Sequence, residues 1–301
     1  MNFQRMDNVA DFLEVAEEFL VQRDPETNLT LHNAYGLQAK ASTPERPAYM
    51  AVVTNGQSIL GTAIMDYGRP LCVYAVGEMP EKAMALLVDD LLAWQQSVDG
   101  FVHWKGNRTK LVAPEGLAHQ FVQVWEQRTG LRPTLGMHMR LYQLRAIRDF
   151  GLCKGALGLA TEDDKSLVAQ WLYEFDKEAV GEMTQDEAVE VAHRMVDGGR
   201  MYLWVDDGRP VSQVCKTRPT QRGVVLNAVY TPRQFRKRGY ATSCVAAVSQ
   251  RLLDDGYEFC SLFTDLTNPT SNQIYMKIGY DSIRDYQEYQ LLWKLPVTVS
   301  L

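Results

Sequence analysis

Four cations, Arg233, Arg236, Lys237 and Arg238, fall within six residues, and a glycine, Gly239, follows at once. Like charges packed this closely repel one another, and a multiply charged anion relieves the repulsion. Gly239 permits backbone angles closed to other residues and lets the chain approach a ligand closely. The small Ala241 keeps that approach open. The run Val224 to Tyr230 before the cluster is β-rich, and Thr231-Pro232 ends it, because proline cannot donate to a sheet ladder. A helical stretch, Tyr240 to Asp254, begins directly after the glycine. At a helix start the backbone N–H groups point outward and the dipole end is positive. Strand, basic glycine turn and helix start together suit capture of a pyrophosphate. Taken alone, the segment leaves a solvated basic loop equally open.

A second cluster lies about thirty residues on, in Asn268-Pro269-Thr270-Ser271-Asn272-Gln273-Ile274-Tyr275-Met276-Lys277-Ile278-Gly279-Tyr280. Asn268 suits a helix N-cap, Pro269 the first helical position and Gly279 the residue past the end. Asn268, Asn272 and Tyr275 stand at i, i+4 and i+7, so they share one helix face. Ile274 and Ile278 form an apolar stripe elsewhere on it. Two amides and a phenol on one face can hydrogen-bond an extended polar ligand and hold or give a proton. A pure cap for Asn268 and a core-edge tyrosine for Tyr275 are the structural alternatives.

The two segments resemble motifs A and B of the GNAT superfamily of N-acetyltransferases. Motif A has the signature Gln/Arg-x-x-Gly-x-Gly/Ala, matched here by Arg236-Lys237-Arg238-Gly239-Tyr240-Ala241. The resemblance implies that Arg236, Lys237, Arg238, Gly239, Tyr240, Ala241 and Thr242 wrap the coenzyme A pyrophosphate, largely through backbone N–H groups. It also implies that Val229, Tyr230 and Thr231 pair with the pantetheine arm like an added strand. In motif B it makes Asn268 and Asn272 coenzyme A ligands and Tyr275 the general acid beside the sulfur. The expected reaction is transfer of an acetyl group from acetyl-CoA to an amine by direct attack, with no metal.

Such a transfer needs a neutral amine, alignment, a stabilised oxyanion and a protonated leaving thiolate. Alkylamines have pKa values near about 10.4, so a base or a desolvating site must remove a proton. A backbone N–H at the end of the Val224–Tyr230 strand is the expected oxyanion donor. Several GNAT proteins carry a glutamate in the strand before motif B, where this chain has Phe263. Asp265, Glu178, Glu182, Asp186 and a water chain are the remaining candidates for the base.

These segments need sheets and helices to position them. The 301 residues suggest two domains, and 46% hydrophobic with 23% charged residues suits two packed cores. A net charge of −6 argues against a nucleic-acid surface. The five cysteines are dispersed, so reduced thiols and a cytoplasmic location are expected. Met1 to Leu20 shows no secretion-signal pattern, and no apolar run approaches the roughly 20 residues of a membrane span. None of the five histidines has metal-ligand spacing to another.

Periodicity predicts helices near 9–20, 29–37, 80–96, 115–129, 163–178, 185–197, 240–254 and 269–278. Strands are expected at 48–54, 58–67, 71–76, 101–104, 137–144, 156–159, 201–205, 210–217, 224–230 and 258–265, with more to about Trp293. Both halves then read helix, helix, three strands, helix, strand, helix, strands. The expected class is α/β (α+β), with two tandem GNAT-like domains over 1–147 and 148–301, each a mixed central sheet flanked by helices. In the first, the turn equivalent to motif A is Gly77-Glu78-Met79-Pro80-Glu81-Lys82-Ala83. Its acids repel a pyrophosphate, so no coenzyme A site is expected there. The expected partners are a coenzyme A thioester and an amine acceptor, in a monomer or homodimer. A non-catalytic acyl-CoA sensor is the alternative, and an aminoacyl transferase without coenzyme A is a third reading.

Overall fold

The computed structural model describes residues 1–40, 46–98, 108–148, 151–179 and 181–293. The strands are β1 (Asn2–Arg5), β2 (Tyr49–Asn55), β3 (Ser58–Met65), β4 (Leu71–Ala75), β5 (Arg108–Pro114), β6 (Thr134–Leu144), β7 (Ala156–Leu159), β8 (Met201–Asp206), β9 (Arg209–Thr217), β10 (Gly223–Tyr230), β11 (Phe259–Asp265) and β12 (Asp281–Leu292). The helices are α1 (Val9–Val21), α2 (Asn28–Lys40), α3 (Glu81–Ser97), α4 (Glu115–Thr129), α5 (Lys165–Ala179), α6 (Gln185–Asp197), α7 (Tyr240–Asp254) and α8 (Pro269–Ile278).

Contacts divide the chain into two units. The first holds Met1–Arg140, Asp265–Thr267 and the chain from Arg284 on; the second holds Leu141–Thr264 and Asn268–Ile283. The units interleave in sequence, so no single cut near residue 147 separates them. β12 pairs antiparallel with β5 from Tyr286↔Pro114 to Leu292↔Arg108, and so the last strand belongs to the first unit.

The first unit orders its strands β1-β2-β3-β4-β5-β12. The first four run antiparallel, and β4 and β5 pair in parallel across α3. Helices α1 and α2 cover one face, where Phe12, Leu20 and Leu31 pack on Met50 and Ile64. Helices α3 and α4 cover the other, around Leu87, Phe121 and Trp125. The second unit orders β11-β10-β9-β8-β7, with β6 beside β11. It repeats the plan: β7 to β10 antiparallel, β10 and β11 parallel across α7. Helices α5 and α6 pack on one face around Trp171 and Leu203, and α7 and α8 on the other around Val245 and Tyr280.

The mixed sheet flanked by helices is the expected class, and four helices have the expected bounds. β1 and β5 escape the sequence reading. β5 opens on Arg108 and Lys110 and closes on Pro114, which disguises a strand whose middle is buried. Lys110 is there because it meets Glu288 of β12 at 3.2 Å. The strand expected over Phe101–Trp104 lies outside the described residues. Several strands expected beyond Gly279 are one, the twelve-residue β12.

The glycine that starts β10 is dictated by packing. Gly223 pairs with the fully buried Phe259, and a methyl group at residue 223 would run into that ring. Gly223→Ala is expected to lower the unfolding free energy by about 1–3 kcal/mol, as overpacked cores do. The readout is a lower urea midpoint at unchanged slope. A midpoint equal to wild type would mean that the ring moves aside without strain.

Candidate functional site

The site is built at one end of the second unit's sheet. The parallel ladder of β10 and β11 has only three register pairs, Gly223↔Phe259, Val224↔Cys260 and Val225↔Ser261. Beyond Val225 and Ser261 the two strands no longer pair. On its other side β10 follows β9 to Asn227↔Cys215 and resumes at Tyr230↔Gln213, with an irregularity between. Ala228 takes the left-handed φ of 49° there, and its N–H is closed off by the Asn227 side-chain oxygen at 2.8 Å. Such a bulge takes residues out of the ladder and re-aims the backbone. Ala228 and Val229 are left without a register partner on either side. Of these two, Val229 is the one whose N–H that side chain leaves alone.

The basic turn follows. Arg233–Phe235 form one 3-10 turn, Lys237 has φ 63°, and Gly239 has φ 83° and ψ 0°. Gly239 is the N-cap of α7, and no side chain caps that helix. The first four N–H groups of any α-helix lack an intrahelical acceptor. The first intrahelical bond here is from Ser243 N–H to Gly239 O at 2.9 Å. Arg236, Lys237, Arg238 and Gly239 are all exposed. Left-handed residues in such a turn gather N–H groups into an anion-binding concavity.

The charges of the turn are divided. Arg236 donates from Nη2 to Glu178 Oε2 at 2.7 Å and from Nε to Thr231 O at 2.8 Å. Arg233 meets Glu178 Oε1 at 3.3 Å. Lys237 makes no ion pair among the described residues. The Tyr240 hydroxyl donates to Asp206 at 2.6 Å, and its side chain also interacts with Arg238 of the turn. Thr231 shares a 2.8 Å hydrogen bond with the buried Ser212, whose hydroxyl also lies 3.1 Å from Tyr230 O. The Tyr230 hydroxyl donates to Glu174 at 3.0 Å. Burial, then that hydrogen bond, pushes Tyr230 up to about 12. Ala241 and Thr242 lie in the first turn of α7.

Helix α8 carries the second cluster. Asn268 is its N-cap, with Oδ1 accepting from Ser271 N–H at 3.1 Å. Asn272 is buried and engaged at both polar ends. Its Nδ2 donates to Asn268 O at 2.7 Å and its Oδ1 accepts from the Tyr142 hydroxyl at 2.9 Å. Tyr275 is 6% exposed, between the rings of Tyr142 and Tyr280. Its hydroxyl makes no hydrogen bond among the described residues. Burial raises its pKa well above the usual tyrosine value. The phenol therefore keeps its proton at neutral pH, but its match to a thiol near about 8.5 is looser than the unperturbed value of about 10 suggests.

Sequence reasoning singled out the turn and the α8 face but missed three features. Tyr142 lies 130 residues from Asn272, so no local pattern announces their bridge. The bulge at Ala228 has no marker beyond Asn227. Glu178 was weighed as a base and is instead the partner of two arginines. Among the described residues, Glu115, His138 and Asp285 of the first unit could offer metal-ligand atoms. Arg140 already binds both Asp285 oxygens at 2.7 and 2.8 Å, and His138 lies 3.2 Å from Glu115.

Solved structures share this architecture over nearly the whole chain. A GCN5-related N-acetyltransferase from Sphaerobacter thermophilus matches with 16% identity and a TM-score of 0.64, covering 98% of this chain and 97% of that one. A GNAT-family acetyltransferase from Colwellia psychrerythraea has 10% identity, a TM-score of 0.58 and coverage of 98% and 100%. A tandem GNAT protein from the clavulanic acid biosynthesis pathway has 10% identity, a TM-score of 0.56 and coverage of 98% and 100%. At such identities the likeness is one of fold, and the chain has the GNAT fold. Residues 208–290, which hold both clusters, match the family model of FR47-like protein. No curated protein matches the sequence. No described helix is long and apolar enough to cross a membrane.

The Tyr142–Asn272–Asn268 chain ties α8 to β6. Asn272→Ala is expected to lower stability by about 1–3 kcal/mol, because it strands the buried Tyr142 hydroxyl. Tyr142→Phe with Asn272→Ala should recover part of that loss in a double-mutant cycle. Purely additive losses would mean that the two side chains act independently.

Proposed function

We propose that the second unit binds an acyl-CoA thioester and transfers its acyl group, acetyl in the simplest case, to an amine. The observation that carries this reading is an exposed, uncapped, basic glycine turn just beyond a strand pair that stops pairing after three residues. The residues fit the ligand. Gly239, Tyr240, Ala241 and Thr242 offer backbone N–H groups and Lys237 an exposed cation, while Arg238 adds charge beside them. Val229, Tyr230 and Thr231 offer backbone to the pantetheine amides, with Tyr230 O already close to Ser212. Asn268 can cap α8 and still present its amide. Asn272 serves first as a brace, and it reaches the ligand only by giving up a present partner.

In the proposed transfer the amine attacks the thioester carbonyl carbon, the C–S bond breaks and the thiolate takes a proton. Val229 N–H is the expected donor to the carbonyl oxygen, and such donors are worth a few kcal/mol in water-poor sites. Tyr275 is the expected proton source. A general acid works in its protonated form, and burial raises Tyr275. Its contribution should therefore persist to higher pH than an exposed tyrosine of about 10 would allow. Alignment of the two substrates supplies the rest.

Free coenzyme A released across a panel of amines is the assay. Wild type should turn over at least one amine, and Tyr275→Phe should cut kcat by about 100-fold or more with the acyl-CoA KM little changed. An unchanged kcat would remove Tyr275 from the chemistry. One observation favours the non-catalytic sensor: Glu178, an acid weighed as the base, is held by two arginines. Tight acetyl-CoA binding with no turnover of any amine would decide for the sensor.

We assign no coenzyme A site to the first unit. There β4 and β5 pair only at Leu71↔Leu111 and Cys72↔Val112, so these strands also part. The gap is met from within. Gln120 of α4 accepts from Met79 N–H at 3.1 Å and donates to Met79 O at 2.5 Å, and the Met79 side chain is buried. The side-chain amide thus takes both backbone groups of Met79, in the turn equivalent to the phosphate turn of the second unit. Calorimetric titration with acetyl-CoA should give a stoichiometry near one per chain; a value near two would overturn this assignment.

A further inference from the structure

Arg236, which heads the phosphate-binding signature, is bound to a carboxylate of its own chain. Glu178 sits in the last turn of α5, one residue from its end. That place is unfavourable for an acid, because the C-terminal end of a helix is its negative pole. Helix stability therefore does not explain Glu178. What it does is hold two guanidiniums, with Arg236 at 2.7 Å and Arg233 at 3.3 Å. Burial works against its charge, yet the Arg236 and Arg233 guanidiniums hold its carboxyl below the usual glutamate range. Arg236 is only 39% exposed in this pairing, although its neighbours in the turn face solvent. Its Nε also donates to Thr231 O at 2.8 Å, which ties the planar guanidinium to the end of β10.

We infer that Glu178 is a competing anion on the turn, holding Arg236 until the phosphates of an acyl-CoA take the guanidinium from it. This inference rests on the proposed acyl-CoA site. Two anions compete for one planar fork, and the doubly charged pyrophosphate wins at a discount to its affinity. Release has a second effect. Glu178 is one helical turn from Glu174, which holds Tyr230 at the end of β10. Loss of the Arg236 contact leaves Glu178 with Arg233 alone, at 3.3 Å.

Calorimetry with coenzyme A on wild type, E178Q, R236Q and the double variant tests this. E178Q should bind coenzyme A about 1.5- to 5-fold more tightly, the range for a part-exposed ion pair. The gain should vanish in the R236Q background, because a general field effect of the lost charge would persist there while a latch would not. Weaker or equal binding by E178Q, or an equal gain in both backgrounds, would overturn the latch while leaving the acyl-CoA site standing. No binding by wild type would remove the site and the latch together. If E178Q melts early, Glu178→Asp withdraws the carboxylate by one methylene with its charge kept, and the same tightening is expected.

Discussion

Everything proposed for the second unit depends on how briefly β10 and β11 stay together. A parallel ladder leaves no free backbone in its interior, so a ligand that pairs with a strand needs the ladder to stop. Here it stops after Val225 and Ser261. The same parting sets α7 and α8 at the open end, because each begins shortly beyond its strand. Of the two helices, α7 starts without a side-chain cap, whereas Asn268 caps α8. The packing behind them is rigid. Phe259 fills the space over Gly223, and Tyr275 lies between Tyr142 and Tyr280.

The first unit shows what happens to the same parting when the ligand-binding chemistry is absent. Its turn carries Glu78 and Glu81 in place of arginines, and the Met79 side chain is buried. A single glutamine, Gln120, satisfies both backbone groups of Met79 in that turn, in keeping with the rule that buried polar groups find partners. The two units thus share a plan of strands and helices and differ in what fills one gap. That difference is chemical rather than topological. It rests on a handful of side chains, which is why a fold can persist after a site is lost.

Much of this was legible in the sequence, and the legible parts have a common character. Helices with caps and clear periodicity, such as Gln185–Asp197 after Thr184 and Pro269–Ile278 after Asn268, were read with their correct ends. The basic turn could be singled out only beside the second cluster, because alone it reads equally well as a solvated loop. What escaped was long-range. β5 is a strand because β12, from the far end of the chain, pairs with it from Tyr286↔Pro114 to Leu292↔Arg108. Asn272 was read as a ligand because its partner Tyr142 is far off in the chain. Arg236 was read as a free cation because Glu178 belongs to a different helix. Propensity and spacing describe which groups a segment offers, and tertiary pairing decides which of them are already taken.

The interleaving of the two units bears on how the chain is made. β5 gains its antiparallel neighbour only from β12, and β12 is the last strand described. A ribosome working from the N-terminus releases Arg108–Pro114 long before Tyr286–Leu292 exists. During that interval the growing first unit has an open edge beside β5, with Leu111 and Ala113 destined for full burial. Unpaired edges of this kind invite pairing with other chains. The second unit, whose strands β7 to β11 follow one another without such a gap, can close first. The part synthesised earliest is thus the part completed latest, and a nascent chain of this protein has more need of chaperone cover at its beginning than at its end.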